Sequence, residues 1–583
     1  MSRGINSYRP PILSTTHAVS SGHYLAAAAG YRILEQGGNA VDAGVASGIA
    51  INVTLPNAST FGGVAPIVIY EAKTDSVITI SGLGRWPKDA SIEYFRKYAN
   101  GQIPLGVLRS VTPGAPDAWL KALEFYGTMT FKQVVTPALE LAEQGFPLSA
   151  TVYKALGASD ETKLPSLDMW PSTAEIFMPK GRRLQTGDMV VQGDLARTFK
   201  RLIEAEEAAS RNGREAGIRG ARDLFYKGEI AEEMVAFSSS QGGLLSLSDL
   251  REFEAKIEPP VKGEYKGYTV YTCGPWCQGP VVAQALQMLQ RDELSSYSHN
   301  SAEYIHLVSQ VLNLSFADRH YYYGDPDVVD VPITGLLDSA YTDDRRQQLD
   351  TINAFKEMPN PGDPWRYQGE SRGVDPNRIK LGRNPGSQEQ DTSYTCVVDK
   401  WGNAFSATPS DGIDGSPIVP GLGFPISHRG TQSWLEEEHP SSLQPWKRPR
   451  LTPNPSIAFR EGKLFMPFGT PGGDAQCSSM VQMFLNIVEF GMDPQAAIEE
   501  PRFIPWNFPN SFWPHTYLPG RLTVESRLSP ETFTGLSAKG HDLEILSEWS
   551  STMGALSGIL VDNESGILKS GADPRRDTYA IGR

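Results

Sequence analysis

Three hydroxyl side chains open a short apolar segment in the second half of the chain. Thr392, Ser393 and Thr395 come just before and within the run that continues as Cys396-Val397-Val398. A hydroxyl oxygen becomes a useful nucleophile only when a neighbouring base takes its proton. By itself the pattern is more typical of a plain β-strand that begins at Thr392, with threonines on its half-exposed face. A chemical role for these hydroxyls therefore depends on what else the fold brings beside them.

Two other stretches favour the chemical interpretation. Residues 468–474 read FGTPGGD, and consecutive glycines can direct backbone N–H groups at one point, as an oxyanion requires. A plain turn remains the alternative there. Residues 356–390 are rich in Pro, Gly, Asn and Asp and have no usable periodicity. Because structureless segments of that length in compact proteins are usually functional or disordered, we predict a mobile segment that ends at Asp391, before Thr392.

The elements that would carry these groups follow from periodicity and capping residues. Gly37-Gly38 is a helix stop, and Asn39 can cap a following helix. The pattern predicts helices over Gly22–Gln36 and from Ala40 to about Ala50, a hairpin of Val64–Glu71 and Ser76–Ile80, and two short strands around residues 400–403.

Composition excludes several classes of protein. The 583 residues carry a net charge of −14, which argues against a nucleic-acid or anionic-membrane binder. A hydrophobic content of 40% is enough for a packed core. No signal-peptide pattern and no apolar run of membrane-spanning length is found, so we expect a cytoplasmic protein. Cys273 and Cys277 lack the second pair that a zinc site needs, and we predict neither a metal nor a cofactor.

Eight motifs occur in order along the chain and together carry a family resemblance. They are GGNAVDA (37–43), LPNASTFGG (55–63), SVTPGAPDAW (110–119), QGP (278–280), FADRHYYYGDPD (316–327), TSYTCVVDKWGNAFSAT (392–408), FGTPGGD (468–474) and DPRRDTYAIGR (573–583). With these motifs the chain resembles the γ-glutamyltranspeptidase family, a branch of the N-terminal-nucleophile hydrolases.

The resemblance implies an α+β fold, a four-layer αββα sandwich, synthesised as one precursor. It also implies self-cleavage of the Asp391–Thr392 bond. Residues 1–391 would become a large (α) subunit and residues 392–583 a small (β) subunit, intertwined in one structural unit. Segment 356–390 would then be free to move away and open the site.

The resemblance also implies roles for individual residues. Thr392 would be the nucleophile, and its freed α-amine the base, since such an amine titrates near pH 8. The N–H groups of Gly472 and Gly473 would stabilise the oxyanion. A second hydroxyl that orients the nucleophile would be Ser410 or Thr408, with Ser410 preferred.

Substrate-binding residues are implied by the same resemblance. Arg85 would bind a substrate carboxylate, with an ion pair to Asp89 as the alternative. The chain departs from the glutamyl-specific pattern where that family holds the substrate's α-amine. The stretch GFPISHRGTQSW contains Arg429 and no carboxylate, and the paired serines are replaced around Thr452 and Asn454.

An arginine repels an amine and attracts an anion, so these changes resemble the amidohydrolase branch of the family. We therefore expect hydrolysis of a small or anionic acyl amide through an acyl-enzyme. A γ-glutamyltransferase or glutathione hydrolase is the alternative, and a catalytically inactive binding protein is a third. Arg429 could instead tie its loop to Glu436–Glu438. The expected partners are a small-molecule amide and the two subunits themselves, with a dimer of these left open; neither nucleic acid nor membrane is expected.

Overall fold

The computed structural model describes residues 7–156, 167, 169–379, 381 and 391–583. Within these residues the strands are β1 (Ile12–Ser14), β2 (Ala18–Ser21), β3 (Ile67–Glu71), β4 (Ser76–Ile80), β5 (Phe146–Pro147), β6 (Met189–Val190), β7 (Ile257–Glu258), β8 (Val261–Tyr265), β9 (Tyr268–Thr272), β10 (Thr395–Val398), β11 (Ala404–Ala407), β12 (Ser456–Arg460), β13 (Lys463–Gly469), β14 (Phe503–Pro505), β15 (Arg521–Glu525), β16 (Asp542–Leu546), β17 (Ser557–Val561), β18 (Leu568–Ala572) and β19 (Tyr579–Gly582).

The α-helices of the same residues are α1 (Tyr24–Glu35), α2 (Ala40–Thr54), α3 (Ile92–Tyr98), α4 (Ala115–Tyr126), α5 (Phe131–Gln144), α6 (Ala150–Ala155), α7 (Pro171–Phe177), α8 (Gly193–Ala209), α9 (Arg214–Lys227), α10 (Glu229–Ser240), α11 (Leu247–Glu252), α12 (Gly279–Leu289), α13 (Ala302–Tyr322), α14 (Ile333–Leu336), α15 (Ser339–Arg346), α16 (Ala475–Val488), α17 (Pro494–Glu499) and α18 (Pro530–Ala538). None of them is both long and apolar enough to cross a membrane.

Two seven-stranded sheets form the centre of the molecule. The first has the order β19-β2-β10-β11-β3-β4-β7 and the second the order β1-β18-β17-β13-β12-β9-β8. The sheets pack face to face, with β10 and β11 against β13 and with β2 against β17. Helix α2 covers β10 and β11 on the outer face of the first sheet, while α12 and α16 cover β8, β9 and β13 on the second. The predicted four-layer αββα sandwich is confirmed.

Helix α2 begins where its sequence indicates. The Asn39 side chain accepts hydrogen bonds from the backbone N–H groups of Val41 and Asp42, and Asp42 returns one to the Asn39 N–H. This capping box satisfies donors that the first helical turn leaves free. Every residue from Ala40 to Thr54 is buried, because small side chains allow α2 to lie close to both α1 and the sheet. The helix therefore runs four residues past the predicted end at Ala50.

Strand β10 lies between two cores and shows the two-residue alternation of a buried strand. Tyr394, Cys396 and Val398 point into the apolar layer between the sheets. Val397 belongs to the core under α2, where the Thr395 Oγ1 also contacts Ser47 Oγ at 2.9 Å. The regular strand begins at Thr395 and not at Thr392 as predicted. Thr392 thus lies in the loop just before the strand, where its backbone is not tied into the sheet.

The segment before Thr392 differs in part from its prediction. Residues 356–379 are not structureless, because Pro364–Gln368 form a 3-10 helix and Trp365 is buried. The backbone N–H of Gly362 also donates to Asp318 Oδ1 in α13 (2.9 Å). Periodicity does not indicate this element, because the large apolar residue Trp365 occurs alone among residues typical of turns. Residues 380 and 382–390 lie outside the described residues, so their predicted mobility stays a prediction.

Candidate active site

Thr392 is held between two loops and shielded from solvent. Its side chain and backbone are 1% exposed, and its N–H donates to the Ala58 carbonyl (2.9 Å). The backbone φ of Thr392 is +104°, which is a strained conformation for a β-branched residue. The next residue, Ser393, donates its N–H to the Pro409 carbonyl. These contacts fix the orientation of the peptide bond that precedes Thr392, and they place strain beside it.

The hydroxyl of Ser410 is the nearest partner of the Thr392 hydroxyl. The two oxygens, Thr392 Oγ1 and Ser410 Oγ, are 2.7 Å apart. Thr408, the other residue considered for this role, has a buried Oγ1 with no hydrogen-bond partner among the described residues. Ser410 is held in place because its backbone exchanges hydrogen bonds with Val64, after the two glycines of the LPNASTFGG motif. Of the two candidates, Ser410 is therefore the one in contact with the Thr392 hydroxyl, and its orienting role stays a prediction.

Arg429 is the residue of the GFPISHRGTQSW stretch that reaches this pair. Its guanidinium is fully buried, and Nη2 donates to Ser410 Oγ (2.5 Å) and to a carboxylate oxygen of Asp391. The alternative contact with Glu436–Glu438 is wrong within the described residues, where Glu437 pairs with Arg96 at 2.6 Å instead. Asp391, which precedes Thr392, was expected only as one side of the cleaved bond. Its carboxylate is a further member of the site.

Two more charged side chains complete this cluster. Burial raises the pKa of Asp411, but His428 and Arg429 outweigh burial and hold that pKa below its usual value. Burial lowers the pKa of His428, yet Asp411, at 2.7 Å from its Nε2, outweighs burial and raises the pKa. These pKa directions favour Asp411 as an anion and His428 and Arg429 as cations. Asp391 adds a second carboxylate, in direct contact with Arg429.

The cluster also contains three side chains that could together ligate a metal ion, namely those of Asp391, Asp411 and His428. One atom from each lies within 4.8 Å of the other two. The Arg429 guanidinium, however, contacts Asp391 directly and lies 3.9 Å from Asp411. A cation in the same place would be repelled by this buried positive charge. We therefore interpret the cluster as an ion-pair network and assign no metal to it.

The glycine turn follows β13, the strand of the second sheet that packs against β10. Tyr394 packs directly on Gly469, since a Cβ added there would lie 2.3 Å from the Tyr394 ring. The chain then turns through Gly472 (φ +120°) and Gly473 (φ +57°), conformations that favour glycine. In the described chain neither of their N–H groups has a hydrogen-bond partner. They lie just before α16, where the helix dipole also favours a negative charge.

Gln278 is a residue whose function the sequence did not indicate beyond its place in a turn motif. Its Nε2 donates to the Gly473 carbonyl and to the Thr452 carbonyl, both at 2.9 Å. Its Oε1 accepts from Arg319 (2.8 Å), and Arg319 also pairs with Asp474. This fully buried network holds the glycine turn in position. The motifs QGP, FADRH and FGTPGGD each contribute one polar side chain to it, which is the signal that could have found it.

Thr452 and Asn454 lie beside this network, and among the described residues neither forms a hydrogen bond with Thr392. Thr452 Oγ1 accepts from Gln432 Nε2 (3.0 Å), three residues after Arg429. The Asn454 N–H donates to Gln476 Oε1, and its own Oδ1 is buried with no partner among the described residues. Thr452 is therefore linked to the arginine loop, while Asn454 supports α16. Their substrate-binding roles stay predictions.

Arg85 is placed in a separate ion-pair cluster. Its guanidinium pairs with Asp325 (3.2 Å) and Asp327 (2.5 Å) and donates to the Trp446 carbonyl. The alternative partner Asp89 is not used within the described residues. Because two carboxylates already neutralise Arg85, a substrate anion would have to displace one of them. The predicted role of Arg85 in carboxylate binding stays a prediction, and Arg429 is the arginine in contact with Ser410.

Comparison with known proteins now tests the family resemblance. The sequence profile described as Gamma-glutamyltranspeptidase matches residues 26–583. The chain belongs to the γ-glutamyltranspeptidase family. That match includes the whole site and every strand of the two central sheets except β1 and β2, which precede residue 26.

Individual relatives carry different activities in their names. The glutathione hydrolase proenzyme of Bacillus subtilis (strain 168) is 32% identical over 100% of this chain and 94% of its own. The oxamate amidohydrolase proenzyme of Klebsiella pneumoniae is 26% identical over 97% of this chain and 99% of its own. The crystal structure of cephalosporin acylase from Bacillus halodurans superposes with a TM-score of 0.84 and 25% identity, covering 100% of this chain and 98% of the other.

Replacing Ser410 with alanine is expected to lower amide hydrolysis about 10²-fold, as typical for loss of a proton-transfer partner. The matched substitution is Thr408→Ala, which removes a buried hydroxyl without a partner and should leave the rate within a few-fold of wild type. Turnover per cleaved chain is the quantity to measure, with cleavage read from a denaturing gel. Equal losses in the two variants would contradict the assignment of Ser410.

Proposed function

We propose that this family member is a self-processing N-terminal-threonine amidohydrolase that prefers amides whose acyl group carries a carboxylate. The observation that carries the proposal is the buried Arg429 guanidinium, which contacts Ser410 beside Thr392 and already holds a carboxylate, that of Asp391. Relatives named as amidohydrolase and acylase proenzymes support the reaction class.

The proposed reaction begins once the Asp391–Thr392 bond is cut. The nitrogen of Thr392, which Ala58 now orients through its carbonyl, would become a free amine and act as the base. Thr392 Oγ1 would attack the substrate carbonyl, with Ser410 orienting it at 2.7 Å. The N–H groups of Gly472 and Gly473 would stabilise the oxyanion, at about 3 kcal/mol for each donor. Water would then release the acyl group from the threonine ester.

The preference for an anionic acyl group follows from charge balance. In the precursor, Asp391 and Asp411 offset His428 and Arg429. When the new end of the large subunit leaves, one buried positive charge loses its partner. An unpaired buried charge is costly, so a substrate carboxylate that replaces Asp391 would be favoured. A hydrogen bond to a charged group contributes about 1.5–3 kcal/mol, or about 10- to 10²-fold in affinity.

Hydrolysis or transfer of a γ-glutamyl group is the second candidate, favoured by the 32% identity to a glutathione hydrolase proenzyme. That reaction needs a group that binds the substrate's ammonium ion. Asp411 is a carboxylate of this cluster that survives cleavage, but it is occupied by His428 and by the Ser427 hydroxyl at 2.5 Å. For this reason the anionic amide is the better-supported substrate class.

A panel of amides with one common leaving group tests the proposal on purified, cleaved protein. Three acyl groups suffice: an uncharged one, one with a terminal carboxylate, and γ-glutamyl. We expect kcat/KM for the carboxylate-bearing amide to exceed that of the uncharged amide by about 10- to 10²-fold. If the γ-glutamyl amide is best, the transferase alternative replaces the proposal. If cleaved protein hydrolyses none of them, the third alternative, an inactive binding protein, is favoured.

Two further expectations concern the cellular location and the oligomeric state of the protein. Four cysteines, all buried and unpaired, support a cytoplasmic location, which cell fractionation would test. A dimer of the cleaved subunits is left open and would be decided by the mass of the purified protein in solution.

A further inference from the structure

We propose that the Asp391 carboxylate is the proton acceptor of self-cleavage, reached from Thr392 through the Ser410 hydroxyl, and that Arg429 holds it for this step. The inference rests on the proposed self-cleavage at Asp391–Thr392. It adds a catalytic group that acts before the α-amine of Thr392 exists. An internal threonine has no such amine, because a peptide nitrogen is not basic, so self-cleavage needs a different base.

The direction of the hydrogen bonds around Ser410 follows from the chemistry of its neighbours. Arg429 can only donate, and Nη2 donates to Ser410 Oγ (2.5 Å). An ionised Asp391 can only accept, and Ser410 Oγ donates to its Oδ1 (3.3 Å). Ser410 therefore has one lone pair left, which accepts the proton of Thr392 Oγ1 at 2.7 Å. The resulting chain runs from Thr392 through Ser410 to Asp391.

Asp391 is held by more than this chain. Its Oδ2 accepts from Arg429 and from the Gly412 N–H (3.3 Å), and its Oδ1 lies 3.4 Å from Thr392 Oγ1. The carboxylate is thus tied to the same loop that carries Ser410. Because both residues 391 and 392 are buried, bulk water is not positioned to take the proton instead.

The step balances as follows. Thr392 Oγ1 forms a bond to the Asp391 carbonyl carbon, its proton moves to Ser410, and the Ser410 proton moves to the Asp391 carboxylate. The carbon–nitrogen bond then breaks, and the nitrogen of Thr392 receives a proton from the same relay. The product is an ester between Asp391 and Thr392 Oγ1. One water molecule hydrolyses the ester. This step leaves a new α-carboxylate at the end of the large subunit, on Asp391, and a free α-amine and hydroxyl on Thr392.

Strain adds to the argument for this peptide bond. A φ of +104° at a threonine is a strained backbone conformation, and cleavage at residue 392 would release that strain. The strained residue and the candidate acceptor are neighbours in the chain. The precursor therefore combines a destabilised peptide bond, an aligned hydroxyl and a carboxylate within one buried cluster.

The test is the first-order rate of chain cleavage in Asp391→Asn, which keeps the side-chain shape but cannot take up the proton. We expect this rate to fall at least about 10²-fold relative to wild type. The matched control is Asp375→Asn, the same change at an exposed position of the same segment, which should cleave like wild type. Melting temperatures are compared with that of uncut Thr392→Ala, so that a folding defect is recognised.

A pH series separates proton transfer from a structural role. Wild-type cleavage should slow as the Asp391 carboxylate is protonated, while the residual cleavage of Asp391→Asn should lack that acid limb. The charged groups that face Asp391 from the surrounding elements, and that both proteins share, are Asp411, Asp414, His428, Arg429 and Arg576. An acid limb caused by any of them would persist in Asp391→Asn.

The cleavage rate and its pH dependence together decide whether Asp391 accepts the proton. Slow cleavage of folded Asp391→Asn without the acid limb supports the inference. Wild-type cleavage of Asp391→Asn, or slow cleavage that keeps the acid limb, overturns it and leaves self-cleavage itself standing. A wild-type chain that never cleaves would instead overturn the proposed function.

Discussion

Replacing Thr392 with alanine should leave the protein as a single 63.8 kDa chain without amidase activity. The wild-type protein should instead yield two fragments divided between Asp391 and Thr392. The physical reason is that one oxygen atom performs two reactions. It attacks the preceding carbonyl in the precursor and the substrate carbonyl in the mature protein, so that its loss should abolish both. The measurements are a denaturing gel and N-terminal sequencing of the smaller fragment.

Thr392→Ser is the informative companion, because it keeps the hydroxyl and removes only the methyl group. It should cleave and hydrolyse, at lower rates, since the freer serine side chain is less well held against Ser410. Amide hydrolysis by uncut Thr392→Ala at the wild-type rate would contradict the assignment of the nucleophile. So would a wild-type small fragment that begins at any other residue.

Replacing Arg429 with methionine should selectively abolish the preference for anionic substrates. We expect kcat/KM for the carboxylate-bearing amide to fall about 10²-fold, while the value for the uncharged amide changes only a few-fold. Methionine keeps much of the volume of the buried side chain but no charge or donor. In an uncut Thr392→Ala background the same change leaves Asp391 buried and unpaired, which should cost about 3–5 kcal/mol of stability.

Arg96→Met is the control for this prediction. Arg96 pairs with Glu437 at the surface, so its loss removes one positive charge without changing the site. Activity is measured per cleaved chain, because Arg429→Met is also expected to slow self-cleavage through Asp391. An equal loss for charged and uncharged amides would show that Arg429 supports the loop and does not recognise the substrate carboxylate.

Much of the fold followed from local patterns. The helix stop at Gly37-Gly38 and the cap at Asn39 depend on residues within a few positions of one another. The hairpin of β3 and β4 was predicted at its observed turn. Errors arose where local signals were weak, as at Trp365, a single large apolar residue among prolines and glycines. The start of β10 was placed at Thr392 because hydroxyl residues look alike in a strand and in the loop before it.

The features of the site likewise divide into those that the sequence indicated and those that it left open. Sequence motifs singled out Thr392, Gly472 and Gly473, and the matching family profile spans all three. They left open whether Ser410 or Thr408 orients the nucleophile, because two hydroxyls separated by one proline are equivalent in a pattern. They also left open what Arg429 contacts, since its candidate partners included acidic residues only seven to nine positions away.

The amino-acid sequence by itself determined the family and the layered architecture, and it singled out Thr392 as the candidate nucleophile. Only the tertiary structure decided that Ser410, Arg429 and Asp391 meet in one buried cluster. The physical reason is that side chains 19 and 38 residues apart contact each other through the course of the loops between them. Periodicity and capping describe neighbours a few residues apart, whereas the charge balance of a site depends on every residue that the loops bring together.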